Sequence, residues 1–450
     1  MAKEFILNGV HDYTQEADYI PPKEPEVAKH IEWFRGLKLG FMMHWSPASQ
    51  LGTYESWPLS SGDAHWAIED MDWTDVDTFK EQYRNANRTF NPVKFRPDKW
   101  AKLAKDCGFQ YLLFTTKHHD GFCMYDTKTT DYKITDSTCP FHTNPNADIT
   151  GALYREFKKQ GLGISVYFSK PDWHSDAYWH RDFGEARNRN VNYDIQKYPE
   201  LWASYVDFVH EQITELCTNY GKVDVLWLDG GWVRPDNRLQ DIRLGEVVSK
   251  IRSSSQPHLI VCERTAGGIY ENIITPEKTI PERVLPVPWE TCIPLGDYFS
   301  FHYQDHYKSG QELVHMLLEV ISKGGNLALN IPPQPDGALP VPAVQSLREL
   351  GQWLDIFGDG IYQTTVQAPY FENGLAYTKK GDKTYAFYLY NQFPRLPRRL
   401  ILTAEQNIQR IVSLRTKEQL PFVQNDSRIE IDTTGFAMRN AFFAEGFCLE

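Results

Sequence analysis

The stretch Tyr111-Leu112-Leu113-Phe114-Thr115-Thr116-Lys117-His118-His119-Asp120 decides how the chain can fold. Its first six residues predict a buried strand, and a lysine, two imidazoles and an aspartate follow where that strand should end. Neighbouring side chains on a strand point to opposite faces, so both histidines can serve one pocket only if the strand ends there. In barrels of alternating strands and helices, that end carries the functional residues. An isolated histidine pair is more often structural, so the rest of the chain has to decide.

Short apolar runs recur along the chain and predict further buried strands. They are Leu37–Trp45, Leu162–Phe168, Val223–Leu228, His258–Cys262 and Leu327–Ile331. Amphipathic helices lie between them, such as Asp98–Cys107, a helix that carries Tyr205 to Tyr220 at helical spacing, and one with Leu313 to Ile321 on one face. This alternation indicates an α/β protein whose parallel sheet is buried on both faces. The leading architecture is a (β/α)8-like TIM barrel. A doubly wound open sheet comes second, because no strand is followed by a GxGxxG motif or a P-loop.

The pattern changes after a helix that ends near Phe357. Short alternating runs such as Thr384–Tyr390 and Arg428–Asp432 are separated by turn residues, which predicts a C-terminal antiparallel β-sandwich. A single hydrophobic core stops growing near roughly 250–300 residues. We therefore expect a barrel domain with the chemistry over residues 1–360 and a β-sandwich domain over residues 361–450.

Bulk properties exclude several classes of partner. A formal charge of −12 argues against a nucleic-acid backbone or an anionic membrane as the main partner, and no apolar run is long enough to span a bilayer. The seven cysteines are dispersed without a CxxC pair, which fits reduced, mostly buried thiols. Met1-Ala2-Lys3-Glu4-Phe5 gives no secretory signal. This fits a cytoplasmic protein, or a periplasmic or secreted one whose signal peptide has been removed.

Carboxylates at expected strand ends and loops suggest hydrolytic chemistry. Asp229 ends a predicted strand and would project into the barrel mouth, with Trp227 on the same face; an aspartate that caps the next helix is the alternative. Retaining glycosidases need a second carboxylate about 5–5.5 Å from the first. Glu277, in a long loop, and Glu290, beside the indole of Trp289 that could raise its pKa, are the two candidates. For either one, a solvated loop glutamate is the commoner outcome.

His44 and Arg264 each follow a predicted strand and would join His118 and His119 in lining the same mouth. Such a set can hydrogen-bond a polyhydroxylated ring, although His44 alone is more often structural. The rival is a metal site, because strand-end histidines and aspartates also build zinc hydrolases. Against it, the first strand lacks a His-x-His pair, and adjacent histidines are awkward ligands for one ion. We therefore expect neither a metal nor another cofactor.

Four stretches together resemble the α-L-fucosidases of glycoside hydrolase family 29, and the resemblance covers nearly all of the chain. Trp33–Trp45 is similar to the family's opening strand, and Lys117–Phe122 matches its most distinctive motif. Trp227–Gly230 resembles the strand that carries the nucleophile, and Ser322–Ile331 resembles the last barrel segment. Each stretch alone is a weak signal, but their order and spacing together are specific.

The resemblance implies a barrel followed by a β-sandwich, and a retaining double displacement that releases terminal α-L-fucose from oligosaccharides or glycoconjugates without a cofactor. It implies Asp229 as the nucleophile and Glu277 as the acid/base, with Glu290 in reserve because that position varies within the family. The residues that it implies for sugar binding are His44, Glu55, Trp57, His118, His119, Tyr167, Trp227, Arg264 and Phe299.

Three departures from the family's pattern fall on the sugar pocket and its rim. Cys262–Thr265 replaces the usual Asn-Asp-Arg-Trp, Phe299–Phe301 replaces Trp-Gly-Tyr, and Glu55–Pro58 loosely replaces Glu-Trp-Tyr. These departures keep two alternatives open. One is a related retaining glycosidase for another sugar, such as an α-L-galactoside, and the other is a non-catalytic sugar-binding barrel. The sequence sets neither the linkage preference nor the oligomeric state.

Overall fold

The computed structural model describes residues 13–69, 75–186, 188–391, 394–439 and 441–450. Its first seven strands are β1 (Leu39–Met43), β2 (Tyr111–Lys117), β3 (Gly163–Ser169), β4 (Val225–Asp229), β5 (Ile260–Glu263), β6 (Glu290–Pro294) and β7 (Asn326–Asn330). They form one parallel sheet in the order β5-β4-β3-β2-β1-β7-β6. The order runs around a circle with β7 beside β1, whereas a doubly wound sheet reverses its order in the middle.

Residues 271–278 close the gap between the two edge strands of this sheet. The backbone N–H of Asn272 donates to the carbonyl oxygen of Val261 in β5 at 2.9 Å. On the other side, the N–H of Glu290 in β6 donates to Ile274 at 2.9 Å, and the N–H of Lys278 donates to Cys292 at 3.0 Å. These bonds satisfy part of each edge and link β5 to β6 through the segment, which gives the seven-stranded sheet its TIM-like form.

Helices connect the strands and cover the outside of the barrel. They are α1 (Pro25–Leu37), α2 (Val76–Arg84), α3 (Pro97–Asp106), α4 (Ile149–Lys159), α5 (Pro199–Thr218), α6 (Leu244–Ser254), α7 (Gly310–Ser322) and α8 (Val341–Phe357). Local sequence explains several of their ends. A proline is the first residue of α1, α3 and α5, and a capping box of Ser309 and Glu312 begins α7. Short 3₁₀ helices lie at Glu16–Asp18, Pro47–Leu51, Trp57–Ser60, His65–Ala67, Ala86–Arg88, Pro140–Thr143, Arg181–Phe183 and Gly358–Gly360.

The C-terminal strands form two antiparallel sheets. They are β8 (Thr365–Glu372), β9 (Leu375–Lys380), β10 (Lys383–Leu389), β11 (Arg399–Thr403), β12 (Ile411–Ser413), β13 (Phe422–Asn425), β14 (Arg428–Asp432) and β15 (Ala444–Leu449). Their orders are β12-β15-β10-β9-β8 and β11-β14-β13. One buried cluster contains Tyr377 and Phe447 from the larger sheet and Leu402 and Ile431 from the smaller one, as in a sandwich.

The predicted TIM-like barrel and C-terminal β-sandwich are confirmed, with differences in detail. The predicted strand Leu37–Trp45 is shorter, at Leu39–Met43, and the predicted helix through Tyr220 ends at Thr218. Strand β6 was not predicted at all. The division into two domains near residue 360 stays a prediction.

All seven cysteines are buried and unpaired. None of the described helices has both the length and the apolar character needed to cross a bilayer. Met1 to Phe5, where the sequence gives no secretory signal, lie outside the described residues.

Candidate active site

A cavity of about 1130 Å³ opens where the parallel strands end. Its volume exceeds the upper range of roughly 300–1,000 Å³ for small-molecule sites, so it has room for more than one sugar ring. The sequence-predicted residues that line it are His44, Glu55, Trp57, His118, Tyr167, Trp227, Asp229, Arg264, Glu277 and Phe299. The barrel topology therefore gathers residues that lie as far as 255 positions apart, from 44 to 299.

Asp229, the last residue of β4, is held on both carboxylate oxygens. Oδ1 accepts from the N–H of Gly230 at 2.8 Å and from Arg264 at 3.1 Å. Oδ2 accepts from the hydroxyl of Tyr167 at 2.5 Å, and His119 Nε2 lies 3.7 Å away. Burial alone would raise the pKa of Asp229, but Arg264, His119 and the Tyr167 hydroxyl outweigh it and hold that pKa well below its usual range. The group is therefore a fixed carboxylate anion.

Arg264 contacts two carboxylates at once. One guanidinium nitrogen bonds Asp229 at 3.1 Å, and the other bonds Glu277. Glu277 belongs to the segment 271–278 that closes the barrel, so the closing backbone also delivers the second carboxylate to the cavity. The structure thus brings together the two residues that the sequence favoured as candidates for nucleophile and acid/base.

His118 and His119 both lie close to Asp229, because β2 ends at Lys117, immediately before them. Their rings lie 4.2 Å apart. His118 Nδ1 is bonded to the hydroxyl of Ser56 at 2.6 Å, and His119 Nδ1 is bonded to the hydroxyl of Ser169. Burial lowers the pKa of His119 to about 4 and that of His118 well below its usual value. Both rings are therefore neutral near pH 7. His118 lines the cavity, whereas His119 is not among the described residues that line it, and its Nε2 faces Asp229.

His44 follows β1 and has a defined tautomer. The backbone N–H and Nδ1 of His44 both lie at Oδ1 of Asn330, at 3.0 and 2.8 Å. The amide nitrogen of Asn330 donates to the carbonyl oxygen of Phe299 at 2.7 Å, so Oδ1 is the acceptor and Nδ1 carries the proton. Burial lowers the pKa of His44 to about 4. The unprotonated Nε2 can therefore accept a hydrogen bond from a sugar hydroxyl.

Lys117 and Asp120, which flank the two histidines, hold them in place. Lys117 is buried and bonds Asp172 at 3.2 Å and Gln212 at 3.0 Å. Asp120 accepts from the hydroxyl of Tyr83 at 2.8 Å. These contacts tie the loop after β2 to neighbouring elements, and so they fix the backbone that carries the two histidines.

Glu290 lies behind Trp227 and outside the described residues that line the cavity. It is the first residue of β6, at the amino end of the barrel, and it is buried. One carboxylate oxygen accepts from Nε1 of Trp227 at 3.1 Å, and the other bonds the hydroxyl of Tyr111. The structure therefore does not bring Glu290 together with Asp229 and Glu277.

Aromatic and acidic residues of the first long loop complete the wall. The carboxylate of Glu55 accepts from the N–H of Ser300 at 2.7 Å, and burial raises its pKa. The ring of Trp57 lies 5.3 Å from that of His119, and Phe299 lies 4.9 Å from His44. Trp57, Thr265 and Phe299, one from each stretch that departs from the family's pattern, all line the cavity.

The sequence reading missed several functional neighbours. Arg189, Trp232 and Lys278 line the cavity from loops, where no periodic pattern marks them. Ser169 and Asn330 orient His119 and His44, as described above. Both are the last residues of barrel strands, so the strand-end rule that selected Asp229 could have found them.

Among the residues that the structure describes, two groups of side chains have ligand atoms within 4.8 Å of one another, as a metal site requires. They are His118, His119 and Asp229 in the cavity, and His30, Asp224 and His258 elsewhere. In the first group Arg264 already pairs with Asp229, and in the second Lys222 Nζ lies 2.6 Å from Asp224. In each group the carboxylate therefore already has a cationic partner from the protein.

Comparisons with known proteins point in one direction. A sequence profile described as Alpha-L-fucosidase matches residues 7–359. The plasma alpha-L-fucosidase of Rattus norvegicus is 27% identical over 386 residues, which span 80% of this chain and 77% of that protein. The solved structure of alpha-L-fucosidase isoenzyme 1 from Paenibacillus thiaminolyticus superposes with a TM-score of 0.77 at 27% identity, over 94% of this chain and 99% of the other.

A third structure shares the fold at 21% identity, with a TM-score of 0.74, over 94% of this chain and 96% of the other. It is a GH29 alpha-L-fucosidase from Bacteroides thetaiotaomicron that was captured as a trapped covalent intermediate. A TIM-like barrel whose mouth holds two carboxylates in a cavity wide enough for sugar rings fits a glycoside hydrolase. The profile match, which covers most of the chain, makes the class specific. The chain belongs to the α-L-fucosidase family.

Proposed function

We propose that this protein is a retaining exo-α-L-fucosidase in which Asp229 is the nucleophile and Glu277 is the acid/base. The observation that carries the proposal is the single guanidinium of Arg264 in contact with both carboxylates inside the cavity. One side chain can bridge two carboxylates only when they lie close together, which suits the short separation of roughly 5–5.5 Å in retaining enzymes. The covalent intermediate captured in the Bacteroides thetaiotaomicron relative is consistent with the same route.

The reaction proceeds in two displacements. In the first, the carboxylate of Asp229 attacks the anomeric carbon while Glu277 gives its proton to the departing glycosidic oxygen, which leaves a fucosyl ester on Asp229. In the second, Glu277 removes a proton from water, and the resulting oxygen nucleophile attacks the same carbon and releases fucose and the Asp229 carboxylate. Two inversions give net retention.

The neutral histidines and the aromatic walls are proposed to bind the sugar. His44 presents an acceptor nitrogen and His118 one free ring nitrogen, which matches hydroxyls that both donate and accept, while His119 would act from beside Asp229. Phe299 offers an apolar face for the methyl group of fucose. Glu55, Trp57, Tyr167, Trp227 and Arg264 complete the proposed binding set.

Glu277 is favoured over Glu290 as the acid/base because access differs. An acid/base must reach the leaving oxygen in the first step and a water molecule in the second. Glu277 lines the cavity, whereas Glu290 is buried behind Trp227 with both oxygens bonded by the protein.

The first test is the hydrolysis of aryl glycosides by purified protein. We expect turnover of the α-L-fucoside, weaker turnover of the α-L-galactoside, and none of the β-D-galactoside. A hydroxyl added to the methyl group is rejected by an apolar contact only about 10²-fold. Faster turnover of the α-L-galactoside than of the α-L-fucoside would show that galactose, rather than fucose, is the sugar that the enzyme prefers. Binding of fucose without hydrolysis would favour the non-catalytic alternative.

The second test addresses the nucleophile. Asp229→Ala should lower kcat by several orders of magnitude, because the covalent step is lost. Added azide should restore turnover and give a fucosyl azide of inverted configuration. Asp207→Ala, which removes an exposed aspartate on α5, serves as the control and should keep normal kinetics. An Asp229→Ala enzyme with near-normal kcat would refute the role.

A further inference from the structure

We infer that Glu290 is a positioning residue, which fixes the indole of Trp227 and through it the two groups that hold the carboxylate of Asp229. The inference rests on the proposed role of Asp229 as nucleophile. It assigns a part in the reaction to a residue at the amino end of the barrel, without contact between Glu290 and the sugar.

The first step of the argument is the environment of Glu290 itself. The side chain lies at the amino end of the barrel, where β6 pairs with Asn326 at the start of β7. Its carboxylate accepts from Nε1 of Trp227 at 3.1 Å and from the hydroxyl of Tyr111. An indole ring has one N–H, so this bond restrains the χ1 and χ2 torsions that orient the Trp227 ring.

The second step links the indole to the nucleophile. Tyr167 stacks on Trp227 with ring centroids 5.2 Å apart and planes inclined by 21°, and its hydroxyl donates to Asp229 at 2.5 Å. The guanidinium of Arg264 lies 5.2 Å from the Trp227 ring and bonds Asp229 at 3.1 Å. Two of the partners of Asp229, Tyr167 and Arg264, therefore pack against one ring whose orientation Glu290 sets.

The third step is the electrostatic cost of this carboxyl group. Burial raises the pKa of Glu290 to about 7, although the bonds from Tyr111 and Trp227 lower it in part. A buried acid without a cationic partner destabilises a core relative to an apolar side chain of similar volume. An apolar side chain would therefore pack better at position 290. A carboxyl group is explained there by its hydrogen bond to Trp227, which orients the indole.

Steady-state kinetics of four variants test the inference. Glu290→Gln keeps an amide oxygen for Nε1 of Trp227, so its kcat should stay within about threefold of wild type. Glu290→Ala removes the acceptor, and its kcat should fall about 10–100-fold at nearly constant KM, as expected for a misplaced reacting group. Trp227→Phe removes the N–H but keeps a ring. The matched control is Glu215→Gln, which changes a buried glutamate of α5 that also accepts from neutral donors.

Two features of the result separate positioning from other roles. The loss in Glu290→Ala should be equal for aryl fucosides with good and poor leaving groups, whereas an acid/base variant loses more with poor ones. The double variant Glu290→Ala, Trp227→Phe should be no slower than the slower single variant, because both remove the same bond. Additive losses, a steep dependence on the leaving group, or wild-type kcat in Glu290→Ala would each overturn the inference.

A readout without turnover keeps this test independent of the nucleophile's identity. The near-ultraviolet circular dichroism of tryptophan should change in Glu290→Ala and be restored in Glu290→Gln. If Glu290→Ala does not fold, Trp227→Phe serves in its place, because it removes the same hydrogen bond while Glu290 stays unchanged. An unchanged tryptophan signal in Glu290→Ala would overturn the inference even if Asp229 later proved not to be the nucleophile.

Discussion

Asp229 and Glu277 both contact Arg264, but they differ in how firmly the surrounding structure holds each carboxylate. Asp229 ends a barrel strand and is bonded on both oxygens, so its charge and its position are fixed. Glu277 is half-buried in the segment that closes the barrel, at the wall of the cavity. A nucleophile benefits from a fixed anion, whereas a group that gives and takes a proton needs access to the leaving oxygen and to water.

We predict that Glu277→Gln affects substrates according to their leaving groups. For an aryl α-L-fucoside with a poor leaving group, kcat/KM should fall about 10²–10⁴-fold, because protonation of the departing oxygen is lost. A dinitrophenyl fucoside, which departs without protonation, should lose far less. Glu282→Gln, at an exposed position of the same loop region, should leave both substrates unaffected. Equal losses for the two substrates would argue against Glu277 as the acid/base.

The sequence predicted the site residues that follow barrel strands. Asp229, His118 and Arg264 were found because polar side chains at the carboxyl ends of parallel strands meet in one mouth. The roles of these residues stay predictions. The family resemblance favoured Glu277 and kept Glu290 in reserve, but the residues alone did not separate them, because only the direction and register of β6 show that Glu290 lies at the opposite end of the barrel.

At the scale of elements, the end of β2 depends on a buried ion pair. Lys117 bonds Asp172, and both side chains are almost completely inaccessible to solvent. Asp172 also accepts from the backbone of His174 and Ser175, and the N–H of Trp173 donates to the carbonyl oxygen of His119 at 2.7 Å. The loop after β3 and the loop after β2 are thereby joined into one unit under the cavity.

We predict that replacing only Lys117 destabilises the protein more than replacing both members of the pair. Lys117→Met should lower the free energy of unfolding by about 3 kcal/mol, because it leaves a buried carboxylate without its cation. The double variant Lys117→Met, Asp172→Asn should be more stable than Lys117→Met alone. Urea unfolding of both variants measures the difference. Lys102→Met, which breaks an exposed pair with Asp106, is the control and should change stability by less than about 1 kcal/mol.

Element prediction failed where the signal was short. Strand β6 has five residues with prolines close to both of its ends, at 288 and 294, so it carries too little apolar sequence to be recognised. Residues 271–278 pair with both neighbours through isolated bridges rather than a ladder, and local sequence encodes no such long-range closure. The longer strands β2 and β3 were predicted because each is a continuous apolar run.

At the scale of the whole molecule, the cavity histidines couple stability to pH. Burial lowers the pKa of His44 and of His119 to about 4 from an ordinary value of 6.5. Between these two values the unfolded chain binds more protons than the folded chain. Their contribution to the free energy of unfolding is therefore complete above pH 6.5 and is lost as the pH falls towards 4.

We predict that His44→Gln flattens this dependence. The shift for His44 corresponds to about 3 kcal/mol between the two ends of the range. Urea unfolding at several values between pH 4 and pH 7 should therefore show that the stability gap between wild type and His44→Gln narrows as the pH falls. His65→Gln, which changes an exposed histidine, should run parallel to wild type. A constant gap for His44→Gln would contradict the prediction.

Because all seven thiols are buried, their reaction with a labelling reagent can report local or global unfolding of the protein. A thiol-reactive dye can attack these cysteines only when the surrounding structure opens, so the labelling rate would measure that opening without any introduced probe. Cys448 lies in β15 of the sandwich, whereas Cys262 and Cys292 lie in barrel strands. Mass spectrometry of the labelled sites would show whether the two halves open together or in turn.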